Sequence, residues 1–327
     1  MSLTRRSEAG LRLQQTRLAH NDVRTRTLEF AGHLGLPAVS GIVAYVLRSY
    51  PPVLSVSYAA AFAVGGVGLF AALDGGSLRG AAPVLGLAFV TLLLDLFVMR
   101  ALDDIRDYDY DVVANPDRPL VAGAVTRRAV TLAAVVCAFG AVVVNVTFAP
   151  GLVVIGLQLA YAACLVTANL RWNRPSGDNL ELSALASLPI QLLLYVYLFL
   201  AYREVEPTTD SGIAAVGFAI LLLGAVQVEF GKKLVRLPTP SERTYVKSLG
   251  HTATAVLTVA PAPVAFLVFA ATADAGIGWR LVCGVPLAFV LVGAWQYWGA
   301  RKSRWPQAMS ALCLLGTLIA FGVVGFA

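Results

Sequence analysis

Apolar stretches of about twenty residues recur from near residue 53 to the end of the chain, and few folds accommodate them. They fall at about 53–73, 81–101, 126–148, 150–169, 183–202, 212–230, 252–272, 278–298 and 307–326. At 1.5 Å of rise per residue, a helix of this length crosses a hydrocarbon layer ~30 Å thick. In lipid each backbone polar group must find its partner inside the protein, which leaves helices for stretches so uniformly apolar. Only 13% of the 327 residues are charged, against about 25% in soluble domains. The expectation is an all-α fold, a polytopic membrane helix bundle of about nine transmembrane helices.

Charge orients it. Arg106, Arg118, Arg127 and Arg128 follow the second stretch, and Arg171 and Arg174 the fourth. Lys232, Lys233, Arg236, Arg243 and Lys247 follow the sixth, and Arg301, Lys302 and Arg304 the eighth. The alternate loops hold only Arg79 and Arg203, with Arg280 near a helix start. Lys and Arg mark cytoplasmic loops, so the long loops and the Arg-rich N-terminus are expected in the cytoplasm. Residues 1–29 carry six arginines against three acids and fit a surface-lying segment better than a cleavable signal. Residues 31–48, broken by Gly35, Pro37 and Gly41, are expected as a bent or interfacial helix. The division expected is thus a basic N-terminal segment, 1–49, and a transmembrane domain, 50–327. The net charge of +6 is explained by these loops, so no nucleic-acid partner is implied. Cys137, Cys164, Cys283 and Cys313 lie in apolar runs without CxxC spacing, which favours buried thiols over disulfides or zinc.

One polar stretch stands out. Residues 103–111 hold Asp103, Asp104, Asp107, Asp109 and Asp111, five of the 19 acids of the chain. On a continuous helix Asp103, Asp107 and Asp111 share a face, with Asp104 three residues from Asp107. Like charges so placed repel, and a divalent cation reverses that effect. Mg²⁺ takes one or two carboxylates together with phosphate and water oxygens. A solvated acidic loop is the other reading; the regular spacing and the interspersed Arg100 and Arg106 argue against it.

A second cluster closes the sixth apolar stretch. Glu229, Lys232, Lys233 and Arg236 fall on one face if the helix continues that far. Cations facing carboxylates across a membrane pocket suit a diphosphate, held by metal on one side and by charge-assisted hydrogen bonds on the other. Snorkelling lysines at a helix end are the alternative. Glu229 is harder to set aside, because an acid within a span usually has work or a partner. Arg171 and Arg174 are weaker candidates for phosphate contacts. Gln191, Tyr195 and Tyr197 are candidates to line an acceptor pocket, although an aromatic stripe there also suits packing.

These two sites together resemble the UbiA superfamily of intramembrane prenyltransferases. Those are nine-helix bundles with an Asn-Asp-x-x-Asp-x-x-x-Asp motif after the second span and Asp-x-x-x-Asp after the sixth. Here the first motif reads Asp103-Asp104-x-x-Asp107-x-x-x-Asp111, and Arg118-Pro119 with Gly123 resembles the Arg-Pro…Gly that follows it. Asp103 stands where the family usually has Asn. The second motif reads Glu229-x-x-x-Lys233, similar to a bacterial branch with Glu-x-x-Arg-Lys and a later Tyr, here Tyr245. The resemblance covers residues 50–327 and implies a Mg²⁺-dependent prenyltransferase of the bacterial-type cell membrane. Its partners would be membrane lipid, a polyprenyl diphosphate and a small-molecule acceptor. Asp103, Asp104, Asp107 and Asp111 would hold the metal. Arg118, Arg171, Lys232, Lys233, Arg236 and Tyr245 would bind substrate, and Asp104, Asp107, Glu229 and Lys233 would serve catalysis. Lys233, replacing an acid, would hold diphosphate directly. A membrane terpene cyclase is the alternative within the family. A cation-coupled transporter fits less well, since its charges more often sit near mid-membrane on broken helices.

Overall fold

The computed structural model describes residues 37–240 and 242–327, with side chains from Ser40 onward. The expectation for residues 1–29 lies outside the described residues, as does the start of the 31–48 segment. The chain is all-α, and among the described residues nine helices are long and apolar enough to cross a membrane.

The helices run in chain order as α1 Pro37–Ser49, α2 Pro52–Asp74, α3 Ala82–Arg106, α4 Tyr108–Ala114, α5 Arg127–Val144, α6 Ala149–Trp172, α7 Leu180–Arg203 and α8 Ser211–Lys233. Then come α9 Gly250–Val259, α10 Pro261–Thr272, α11 Ile277–Gly284, α12 Leu287–Ala294 and α13 Gln307–Phe326. The apolar stretches at 252–272 and 278–298 are each built from two pieces. Pro261 opens a new helix after Val259, and Pro286 separates α11 from α12, since proline lacks the N–H that the ladder needs. A π-turn, Trp295–Gly299, extends α12. Helix starts follow local chemistry: Asn179 Oδ1 accepts from the Leu182 N–H and Asp210 Oδ1 from the Gly212 N–H, each capping free donors. Helix α1 has 13 residues, about 20 Å, too short to cross.

Two compact units emerge: Val53–Asp107 with Ala134–Ala327, and Met1–Pro52 with Tyr108–Ala133. Among the described residues, 108–133 group with 37–52. In this smaller unit Gly41 lets α1 approach the backbone of Ala124, whose carbonyl oxygen a Cβ would meet at 2.8 Å.

In the larger unit α2 is the most buried span, and α13 runs against it. A Cβ on Gly65 would lie 2.0 Å from the Leu318 carbonyl oxygen. Small residues permit this approach, which gives helices in lipid the dispersion contacts that hold them together. Polar groups add directional ties. Asn145 Nδ2 donates to Thr91 Oγ1 at 2.8 Å, and the Tyr197 hydroxyl lies 3.1 Å from Thr91 Oγ1 and 3.0 Å from Asn145 Oδ1. All three residues are buried, so the network links α3 and α7 to the turn after α5 with its members satisfied.

Candidate functional site

Helix α3 ends at Arg106, and Asp107 caps it through its own N–H to the Asp103 carbonyl. The chain then starts a separate helix, α4. The single face expected for Asp103, Asp107 and Asp111 is therefore divided: Asp103 and Asp107 stay together, and Asp111 belongs to the smaller unit.

Each acid at the end of α3 is tied to an arginine. Arg106 bonds Asp107 in bidentate fashion, Nε to Oδ1 and Nη2 to Oδ2, both at 3.2 Å. The same Nη2 is 3.2 Å from Asp103 Oδ1, so one guanidinium bridges the two carboxylates. Their side chains are 55% and 28% exposed, open enough to meet a ligand. Asp104 differs. It is 2% exposed and pairs with Arg100 one turn back at 2.9 Å, so it is buried where Asp103 and Asp107 are open.

The second cluster lies within charge range of the first, Lys232 acting on Asp103 and Glu229 on Arg106. Glu229 Oε2 is 3.8 Å from Lys232 Nζ, and its Oε1 accepts from the Tyr245 hydroxyl at 3.4 Å. Tyr245 is buried against Phe230, with ring centroids 4.4 Å apart. Burial first, and the Glu229 charge second, raise its phenol above the ordinary value, so it remains a donor at neutral pH. Lys233 is half-buried and has no acid within ion-pair distance among the described residues.

Arg236 is not part of this face. Helix α8 stops at Lys233, and residues 234–236 run beside residues 302–305. There the Arg236 guanidinium donates to the Lys302 carbonyl at 3.0 Å and to the Tyr297 carbonyl, and stacks on the Tyr297 ring. Two of its five donors thus hold the segment that carries the π-turn, away from the face expected for it. Arg171 is exposed on its neighbour Trp172 and is not brought to the cluster. In the smaller unit Asp111 is buried, paired with Arg118 and accepting from Asn115 Nδ2 at 2.8 Å.

Arg243 is a site residue that sequence reasoning counted only as loop charge. Its Nη1 is 3.7 Å from Asp107 and its Nη2 3.1 Å from Asp178. A Cβ on Gly177 would come within 2.8 Å of Nη1, so a bare backbone there admits the guanidinium. The loops after α6 and α8 are thereby anchored to the acidic end of α3.

From this end a cavity of about 220 Å³ runs inward between α3, α6 and α7. Asp103 and Arg106 line it, as do Met99, Leu165, Ile190 and Leu194. Gln191 also lines it, whereas Tyr195 and Tyr197 are buried in packing and bond to the Leu221 carbonyl and the Thr91–Asn145 pair. Pro189 interrupts the hydrogen-bond ladder of α7 beside the cavity.

No three metal-binding side chains converge among the described residues. The donor set nonetheless suits Mg²⁺ shared with phosphate. Asp103 and Asp107 already straddle one cation, the Arg106 guanidinium, and both offer hard oxygen ligands. The arrangement thus joins an ionic mouth, able to hold an anion with or without a divalent ion, to an apolar chamber inside a membrane bundle. The chain matches no protein-family model, no curated protein and no solved structure.

Proposed function

We propose that the protein is an intramembrane prenyltransferase of the UbiA type, acting on a polyprenyl diphosphate and a small acceptor, aromatic or other. The observation that carries the reading is the cavity with Asp103 and Arg106 at its mouth and a body that is mostly apolar, interrupted by Ser187, Gln191, Asp95 and Gln158. A molecule with an anionic head and a hydrocarbon tail is complementary to both ends at once. Mg²⁺, held by Asp103 and Asp107, would neutralise charge on the diphosphate. Lys232 and Lys233 supply further positive charge, and Glu229 with Tyr245 orients Lys232. The bond between the allylic carbon and the bridging oxygen breaks, and its electron pair leaves with the diphosphate. The allylic cation is then captured by an acceptor carbon or oxygen, which gives up a proton to solvent or to the departing diphosphate. Water is kept from the cation by the apolar wall.

The loops that carry these groups are rich in Lys and Arg, which supports a cytoplasmic mouth and a cytoplasmic N-terminus; residence in a bacterial-type cell membrane rests on the resemblance alone. The test is incubation of purified protein with C10, C15 and C20 prenyl diphosphates, with and without an aromatic acceptor, in Mg²⁺ or EDTA. Acceptor-dependent release of diphosphate supports the reading. Hydrocarbon or terpene alcohol formed without acceptor shifts it to a cyclase, and no release of diphosphate from any donor overturns it.

A further inference from the structure

Eleven residues inward from Arg106 on α3, a distance of about 16 Å, a polar pair lies in the apolar part of the cavity wall. Asp95 and Gln158 are each 1% exposed, and Gln158 Nε2 donates to Asp95 Oδ2 at 3.1 Å. That single bond leaves Asp95 Oδ1 and Gln158 Oε1, two buried oxygens without a hydrogen-bond partner. Each such deficit costs about 1–3 kcal/mol, and an ionisable side chain midway along a span usually has a functional reason. Neither residue belongs to the acidic cluster or to the lysine cluster.

We propose that the inner end of this cavity binds the hydroxyl group of an otherwise apolar molecule, an alcohol or a phenol, with Asp95 and Gln158 as its partners. A hydroxyl both donates and accepts: beside a protonated Asp95 it accepts from the carboxyl group and donates to the amide oxygen, and beside the carboxylate its one proton serves one of the two oxygens. An ether or ketone only accepts and leaves Gln158 Oε1 unserved. The surrounding Leu96, Met99, Leu165, Ile190 and Leu194 take the hydrocarbon body. A single water, with a share of about 30 Å³, fills little of a chamber of about 220 Å³. The role of the ligand as acceptor rests on the prenyl-transfer reading, whereas its binding does not.

The test therefore uses binding without diphosphate. Full-length protein in lipid nanodiscs is titrated calorimetrically with 4-nonylphenol and with its methyl ether, 4-nonylanisole, against empty discs as the partition baseline. One satisfied hydrogen bond in an apolar site predicts that the phenol binds about 10-fold more tightly than the ether. Asp95→Asn or Gln158→Leu is expected to reduce that preference to about 3-fold or less, roughly half of the bond's free energy. Equal binding of phenol and ether by the unaltered protein, the result expected if water alone serves the two oxygens, overturns the proposal. So does saturable binding of neither, or a preference that survives in both variants. A phenol preference in a protein that releases no diphosphate keeps this site and discards the proposed function.

Discussion

Lys233 is the residue on which the second cluster turns. Lys232 is paired with Glu229 and Arg236 donates to two backbone carbonyls, whereas Lys233 has no such partner among the described residues, so of the three it is the cation most open to a phosphate. One charge-assisted hydrogen bond contributes about 1.5–3 kcal/mol, so Lys233→Ala is expected to slow turnover roughly 10- to 150-fold. Steady-state kinetics on purified protein measures it, and an unchanged rate and donor affinity would reduce Lys233 to a membrane anchor. At the first cluster, Asp107→Ala should abolish turnover while the protein inserts and purifies normally. Asp104→Ala should cost stability as well, by roughly 1–3 kcal/mol, because its carboxylate is buried against Arg100. Melting curves in detergent separate the two variants. The acids were legible in the sequence because their spacing is helical and their density is unusual for a membrane chain. Their separate fates were not. Neither glycine nor proline marks the end of α3 at Arg106, and burial of Asp104 depends on neighbours distant in sequence. Arg243 reaches Asp178 across 65 positions, and Gln158 reaches Asp95 across 63, pairings that no local pattern encodes.

Helices α2 and α13 were recognisable by hydropathy, and their close approach is written in the glycines at 65 and 68 once the partner is known. Gly65→Ala sets a methyl group 2.0 Å from the Leu318 carbonyl oxygen, which backbone must move to relieve. A loss of about 1–3 kcal/mol is expected in reversible detergent unfolding, as for overpacking elsewhere. Gly86→Ala, where a Cβ meets nothing within 4 Å, is the matched control and should be near neutral. The buried tie between α3, α7 and the turn after α5 is a second test. Asn145→Ala leaves Thr91 and Tyr197 short of a partner and should cost a similar amount. In the sequence the seventh and eighth apolar stretches read as single spans; the breaks at Pro261 and Pro286 follow from the missing proline N–H. The π-turn at Trp295–Gly299 was not legible there, because its support is the Arg236 guanidinium from another loop.

At the scale of the whole molecule, the nine helices long and apolar enough to cross a membrane among the described residues predict, if each crosses once and no other segment does, that the two termini lie on opposite sides. With basic loops inside, reporter fusions should find the N-terminus in the cytoplasm and the C-terminus outside; both ends on one side would contradict the nine-span topology. On the proposed reading, that orientation would put the ionic mouth of the cavity on the side where soluble Mg²⁺ and a diphosphate head enter, with the hydrocarbon tail on the bilayer side. The central claim is that the mouth ionises a prenyl diphosphate. Its most direct measurement is diphosphate release from farnesyl diphosphate by the purified protein with an aromatic acceptor, in Mg²⁺ and in EDTA, beside the Asp107→Ala variant. The account predicts release in Mg²⁺ that stops in EDTA and is lost in the variant. Equal release with and without metal, or in the variant, would contradict it.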